Sequence, residues 1–350
     1  MNVSSRRKFL RRSACAMGAL ALPGYAWTQE PDTEQSGVEL LTRPALEAVN
    51  QGLDFLAKHQ NDDGTFDSGG YSRNVAVVAL AGMAFMSSGS TPGRGRYGAH
   101  VNRCVSYLLD NTQPESGFIA APDTSTHGPM YGHGFATLFL SEAYGMSRHR
   151  ELRDRLSAAV ELIVKTQNDE GGWRYYPRPY DADISVTVCQ VMALRAARNA
   201  GIHVPHETIE RCIDYVKRSQ NPDGGFMYMI QGGQSAFPRS AAGMVALYSS
   251  GIYEGPEIDR GLKYLEEHLP RGSSFHRESH YFYGHYYAVQ AMWHTGGERW
   301  RDWYTAIRDE LLSLQRGDGS WMDSICQEYG TAMACIVLQM PNNYLPIFQR

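Results

Sequence analysis

From about residue 44 onward the chain alternates two kinds of helical pattern. One, seen in Val160-Glu161-Leu162-Ile163-Val164-Lys165 and Ile209-Glu210-Arg211-Cys212-Ile213-Asp214-Tyr215-Val216, repeats apolar residues at three- and four-residue spacing and carries charge on the opposite face. This pattern predicts half-solvated helices. The other, as in Asn74-Val75-Ala76-Val77-Val78-Ala79-Leu80 and Val186-Thr187-Val188-Cys189-Gln190-Val191-Met192-Ala193-Leu194, has hardly any charge. Helices that are apolar nearly all round are buried, so each charged helix is expected to lie outside an uncharged one.

The junctions between the two kinds also repeat. Gln60-Asn61-Asp62-Asp63-Gly64-Thr65-Phe66, Gln167-Asn168-Asp169-Glu170-Gly171-Gly172-Trp173, Gln220-Asn221-Pro222-Asp223-Gly224-Gly225-Phe226 and Gln315-Arg316-Gly317-Asp318-Gly319-Ser320-Trp321 share the pattern Q-x3-G-x-[FW]. Two weaker copies fill the gaps: Gln113 to Phe118, one residue short, and Leu269 to Phe275, without the Gln. The mean step is about 51 residues, and six units account for residues 44–350 as one domain. In each unit the Gly supplies the turn, Asp and Asn suit the loop and cap, and the aromatic pins the junction onto its neighbour. No terminal unit has the polar outer face that an open stack needs, and the last keeps an apolar second helix, Ala332 to Leu338. An all-α ring closed on itself is therefore expected.

With its spacing and its alternating helices, the Q-x3-G-x-[FW] motif resembles the repeats of squalene and oxidosqualene cyclases and of protein prenyltransferase β subunits. The resemblance covers residues 44–350 and implies an α6/α6 toroid. It leaves activity open, because complement thioester domains and some polysaccharide lyases share that architecture.

The chemistry of those families is incomplete here. Class II cyclases protonate an alkene with an Asp of a D-x-D-D motif and enclose substrate between two toroids. The nearest match, Asp181-Ala182-Asp183-Ile184, ends in Ile, and the chain has residues for one toroid. Asp183 is expected foremost to cap the following helix. The Asp, Cys and His that hold zinc in prenyltransferases have no full counterpart: Tyr281-Phe282-Tyr283-Gly284-His285 lacks the Asp, and the preceding unit, Ser235 to Ser240, offers neither Asp nor Cys. No Cys-Gly-Glu-Gln-like run stands for a thioester, no H-x3-H or H-E-x-x-H pair occurs, and neither cofactor nor metal is expected.

Charge and the N-terminal segment add a compartment. Ser5-Arg6-Arg7-Lys8-Phe9-Leu10 precedes the apolar Ala14 to Leu22, and Gly24-Tyr25-Ala26 suits a signal peptidase. Residues 1–26 look like a twin-arginine signal, 27–43 read as a polar leader, and export to the periplasm or beyond is expected. Without the signal the chain has 28 Lys and Arg against 37 Asp and Glu, which disfavours nucleic acid as a partner. No apolar run is long enough to span a membrane. The five remaining cysteines show no close pairing, and a bridge between Cys104 and Cys212 is not expected.

Aligned on the central Leu or Met of each inner helix, the units carry two further rows. Seven residues earlier stand Arg73, His133, Thr187, Ser240, His285 and Thr331; nine earlier stand Tyr71, Tyr131, Ser185, Pro238, Tyr283 and Tyr329. If these rows look into the ring, they make a polar, tyrosine-rich mouth above an apolar floor. If not, the polar row caps helix starts and bonds to the Gly-rich turns, the favoured reading for Thr187, Ser240 and Thr331. Inner helices about 9 Å apart would leave some 6 Å between His133 and His285 across the ring, room for a flat or chain-like ligand. Arg73, Tyr131, His133, Asp183, Arg239, Tyr283, His285 and Tyr329 are the candidate ligand-binding residues. The resulting expectation is an exported toroid holding a small apolar or isoprenoid-like ligand. A lyase using Arg73 or Arg239 on a uronate, and a protein-interaction scaffold, stand as alternatives.

Overall fold

The computed structural model describes residues 37–349 apart from 68, 123, 125 and 271–278. The expected signal at 1–26, the leader as far as residue 36 and most of the weak turn copy at Leu269 to Phe275 lie outside the described residues.

Outer helices α1 (Arg43–His59), α3 (Gly98–Asp110), α5 (Leu152–Lys165), α7 (His206–Arg218), α9 (Pro256–Glu266) and α11 (Gly297–Leu314) alternate with inner helices α2 (Val75–Ser87), α4 (Pro129–Ala143), α6 (Ile184–Asn199), α8 (Phe237–Ser249), α10 (Tyr281–Thr295) and α12 (Gln327–Gln339). Burial follows the sequence pattern. α7 buries the single stripe Thr208, Ile209, Cys212, Tyr215 and Val216, whereas α2 buries every residue except Ala76. Each inner helix packs on the next, and α12 returns to pack on α2 and α1, so the six pairs form a closed toroid. Small residues set the close approaches: a Cβ on Gly82 of α2 would stand 2.5 Å from the Phe139 ring of α4.

The repeated Gln explains the repeated spacing. Gln60, Gln167, Gln220 and Gln315 each donate through Nε2 to the carbonyl of the Gly four residues on. The same nitrogen also reaches a carbonyl on the next outer helix: His100, Thr208, Glu257 and, for the last unit, Ala48. One amide thus closes its own turn and staples it to the neighbouring unit. The Gly at the turn has positive φ, 97° at Gly171 and 89° at Gly224, and a Cβ there would collide with the next outer helix, 2.1 Å from the Arg211 carbonyl oxygen and 2.3 Å from that of Arg260. Trp173 and Trp321 lock the turn inward by donating Nε1–H to the Ile163 and Leu311 carbonyls at 2.7 and 2.8 Å.

Ring contacts begin before residue 44. The Leu40 carbonyl accepts from Arg308 at 2.9 Å, and Thr42 caps α1. At the other end, the segment after α12 crosses the floor where the inner helices finish. Asn342 donates to the Ser87 carbonyl, the Ile347 N–H to buried Glu142, and Arg195 to the Gln349 carbonyl, while the Phe348 ring meets Tyr286. Cys104, Cys189, Cys212, Cys326 and Cys335 are free thiols.

Candidate active site

The two rows do not share a face, which corrects the expectation of a single mouth lined by both. Successive helical residues turn by about 100°, so positions seven and nine before the Leu lie about 160° apart. The row at seven turns away from the axis and meets the Gly-rich turns. His133 Nδ1 accepts the Ile119 N–H at 3.1 Å, Thr187 Oγ1 that of Trp173 at 3.1 Å, Ser240 Oγ that of Phe226 at 2.8 Å and Thr331 Oγ1 that of Trp321 at 3.0 Å. His133 therefore does the work of a Ser or Thr, and its size lets Nε2–H continue to the Ala159 carbonyl of α5 at 3.1 Å. With both ring nitrogens engaged and no exposed surface, it is no pocket residue, and burial pulls its pKa down to about 4. His285 likewise turns outward: its ring lies 4.9 Å from Phe237 and 6.0 Å from Trp303 of α11. The two histidines do not face each other across the ring.

Arg73 and Arg239 are also redirected. Arg73 is exposed beside a lateral cleft of about 360 Å³ lined by Asp62, Asp63, Arg103 and Tyr107, and its carbonyl accepts from Tyr107 of α3. Arg239 Nε donates to the Phe226 carbonyl at 3.0 Å and another guanidinium nitrogen to the Gln234 carbonyl, so it holds a turn of its own loop.

The row at nine looks inward. Tyr283 of α10 donates its hydroxyl to the Ser185 carbonyl of α6 at 2.9 Å, and one turn deeper Tyr287 stands 3.2 Å from Cys189 Sγ. α10 and α6 are separated by α8, so these tyrosines reach past α8 through the interior of the ring. Burial holds the phenols of Tyr131, Tyr283, Tyr287 and Tyr329 well above their ordinary pKa, so they remain neutral hydroxyls.

Asp183 stands at the rim of this tyrosine-lined centre, close enough for its charge to act on Tyr131 and Tyr283. It is fully buried and caps α6, Oδ1 accepting the Val186 N–H at 2.9 Å. The loop before it is pinned by two backbone bonds, Asp183 N–H to the Trp173 carbonyl and Ile184 N–H to the Tyr228 carbonyl. Oδ2 accepts the Tyr228 hydroxyl at 3.3 Å and lies 3.7 Å from Arg174 Nε. Burial outweighs these stabilising partners and pushes the carboxyl up to about 6. A buried carboxyl that holds its proton in mild acid among aromatic side chains can act as a general acid.

Four neighbours escaped sequence reasoning. Tyr228 shares a 2.5 Å hydroxyl contact with Tyr175, whose hydroxyl lies 3.4 Å from Nε2 of exposed His127. Arg174 pairs with Asp181 and lies over both rings, 5.1 Å from that of Tyr175 and 5.8 Å from that of Tyr228. A signal did exist: Tyr175 and Tyr228 occupy the same place, two residues past the turn aromatic, in successive units. Among the described residues no group of three His, Cys, Asp or Glu side chains could hold a metal ion, and no helix is long and apolar enough to cross a membrane.

The family model for the prenyltransferase alpha-alpha toroid domain matches residues 40–158 and 151–268, and the chain belongs to that family. It is 26% identical over 199 residues to the drimenyl diphosphate synthase of Streptomyces showdoensis, covering 54% of this chain and 34% of that protein. To the lanosterol synthase of Saccharomyces cerevisiae it is 22% identical over 244 residues, covering 67% of this chain and 29% of that protein. It thus spans about a third of the length of these curated relatives. In structure it is similar to the type II terpene cyclase MstE from Scytonema, with a TM-score of 0.59, 16% identity and coverage of 86% of this chain and 99% of that one. A variant of α-1,6-mannanase from Salegentibacter sp. HEL1_6 shares the fold with a TM-score of 0.58 at 10% identity, covering 87% of this chain and 99% of that one.

Proposed function

We propose that this chain is an exported, single-ring terpene cyclase that receives an isoprenoid-like chain at the rim and starts its cyclisation by protonating a double bond from Asp183. The buried, capped carboxyl with its raised pKa, at the edge of a tyrosine-lined centre, carries the reading. The alkene π pair takes the Asp183 proton, leaving a carbocation on carbon and a carboxylate on the enzyme. The faces of Tyr131, Tyr283 and Tyr329 suit such a cation, because aromatic quadrupoles attract positive charge. For a chain to reach the centre, Tyr283 must release the Ser185 carbonyl. Ile184, where a D-x-D-D motif has its last Asp, is fully buried and apolar, and the Tyr228 hydroxyl and Arg174 stand at Asp183 instead.

Chain length is consistent with this reading, since the MstE chain is spanned almost wholly by one ring and has been captured with geranylgeranyl dihydroxybenzoate as substrate. The uronate-lyase alternative loses support because Arg239 is committed to backbone carbonyls and Arg73 lies outside the rim beside Asp62 and Asp63.

The test is incubation with linear farnesyl, geranylgeranyl and squalene-length isoprenoids in D₂O, with products read by mass spectrometry. A cyclised product carrying one new deuterium is expected, and Asp183→Asn should lower its rate at least about a hundredfold while staying folded. Cyclisation unaffected by Asp183→Asn, or none across the panel, would overturn the reading. Export is tested separately: replacing Arg6 and Arg7 with Lys should leave the precursor uncleaved inside the cell, and normal export of that variant would exclude the twin-arginine route.

A further inference from the structure

Asp183 has no exposed surface, so once its proton has gone to a substrate, bulk water has no direct contact through which to replace it. A line of exchangeable groups nevertheless joins it to solvent. Its Oδ2 meets the Tyr228 hydroxyl at 3.3 Å, that hydroxyl meets Tyr175 at 2.5 Å, and Tyr175 meets Nε2 of exposed His127 at 3.4 Å.

We propose that Tyr228, Tyr175 and His127 form a proton relay that recharges Asp183 from solvent between turnovers. This inference rests on the reading of Asp183 as the acid. Every member can donate and accept at once, which a relay requires. The Tyr228 O–H passes its proton to the Asp183 carboxylate as Tyr228 takes the proton of Tyr175, Tyr175 takes that of His127 Nε2–H, and His127 gains one from water at Nδ1. One bond to hydrogen breaks and one forms at each relay group, both tyrosines end neutral, and one proton has entered. His127 then resets its tautomer by exchange with solvent. The two end links, at 3.3 and 3.4 Å, are longer than the middle one and set the pace of the relay.

The placement follows from the repeat. Because Tyr175 and Tyr228 hold equivalent places in successive turns, their hydroxyls meet across the unit boundary, and Arg174 lies over both rings. The other ionisable groups acting around Asp183 are Arg174, which pairs with Asp181, and Tyr131, Tyr215, Tyr228, Tyr283 and Cys189. Burial holds those phenols and the thiol protonated, which leaves Arg174 as the charged group acting on the carboxyl.

The decisive measurement is hydrogen-to-deuterium exchange of the Asp183 carboxyl, followed by its infrared C=O band after the full chain is mixed into D₂O at pH 5. Asp183→Asn identifies the band. Tyr175→Phe keeps the ring under Arg174 but removes the hydroxyl, and His127→Gln keeps polarity but removes the shuttle. Both should slow exchange about tenfold or more without moving the band or the melting temperature, and added imidazole should restore exchange in His127→Ala. Wild-type exchange rates in both Tyr175→Phe and His127→Gln would overturn the relay while leaving the acid intact. Absence of a protonated Asp183 band at pH 5 in the wild type would instead remove the acid reading, and the relay with it.

Discussion

The side-chain amide of Gln315 donates to the backbone carbonyl of Ala48 at 2.9 Å across a sequence separation of 267 residues. It is the bond that Gln167 makes to Thr208, separated by 41 residues. The last unit is therefore joined to the first by the same device that joins neighbours, and the seam should be as strong as any other junction. Gln167→Ala and Gln315→Ala are each expected to cost about 1 to 3 kcal/mol, since each strands carbonyls that had a donor. Gln113→Ala is the control: that Gln is exposed and its side chain meets Ser116, so the change should be nearly neutral. Urea denaturation of the three variants measures the differences.

The turn glycines separate crowding from backbone strain. Gly171 and Gly201 both have positive φ, but a Cβ on Gly171 would sit 2.1 Å from the Arg211 carbonyl oxygen, whereas nothing lies within 4 Å of one on Gly201. Gly201→Ala should cost about 1 kcal/mol from strain alone. Gly171→Ala should cost several times more, or lower the soluble yield, because backbone of the neighbouring unit cannot step aside. Melting temperatures of the two variants decide it.

His133→Ala should act on stability first. It leaves the Ile119 N–H and the Ala159 carbonyl without their partner inside the protein, a loss of about 2 to 4 kcal/mol at pH 7. The histidine stays neutral in the fold down to about pH 4 but would protonate near 6.5 when unfolded, so its contribution is complete above 6.5 and lost as pH falls toward 4. The stability gap between wild type and variant should shrink over that interval, by up to about 3 kcal/mol. A gap that stays constant from pH 7 to pH 4 would mean that the imidazole is not buried neutral.

The repeat and both helical layers were legible because their signals are local: a Gly forced to positive φ, a Gln at a helix end, an aromatic to pin the turn. The two special rows were legible as positions but not as directions. Which side of an inner helix meets the turns depends on how it is rotated against its neighbours, and His133 and Tyr131, two residues apart, were assigned to one space although a helix turns them to opposite sides. Arg73 and Arg239 misled in another way, since a long cation does not show whether it will turn out to solvent, as Arg73 does, or be claimed by carbonyls of its own loop, as Arg239 is. Tyr175, Tyr228 and His127 stand in loops without helical period, and they come together through the stacking of successive units.

The stability of Asp183→Asn relative to the wild type should depend on pH. The fold raises this carboxyl from 3.8 to about 6, so its contribution to stability is complete below about 3.8 and is lost as pH rises through about 6. Asn keeps an oxygen for the Val186 N–H, so the cap survives. The variant should therefore gain on the wild type between pH 4 and pH 7, by at most about 3 kcal/mol, and hold that gain at higher pH. Thermal melts across that range measure it, and a difference independent of pH would show that the carboxyl ionises normally in the folded protein.

The segment from Met340 to Gln349 ties α2, α4, α6 and α10 together at the floor, through Ser87, Glu142, Arg195 and Tyr286. A ring without such a crosspiece is a pipe; here the chain's own tail crosses one end of it. On the function proposed above, an isoprenoid chain would come in past the Gly-rich turns and leave the same way, so arrival and departure would compete for one passage. An elongated guest would have to enter end-on, with its leading end deepest and its trailing end near the rim where Asp183 and His127 stand.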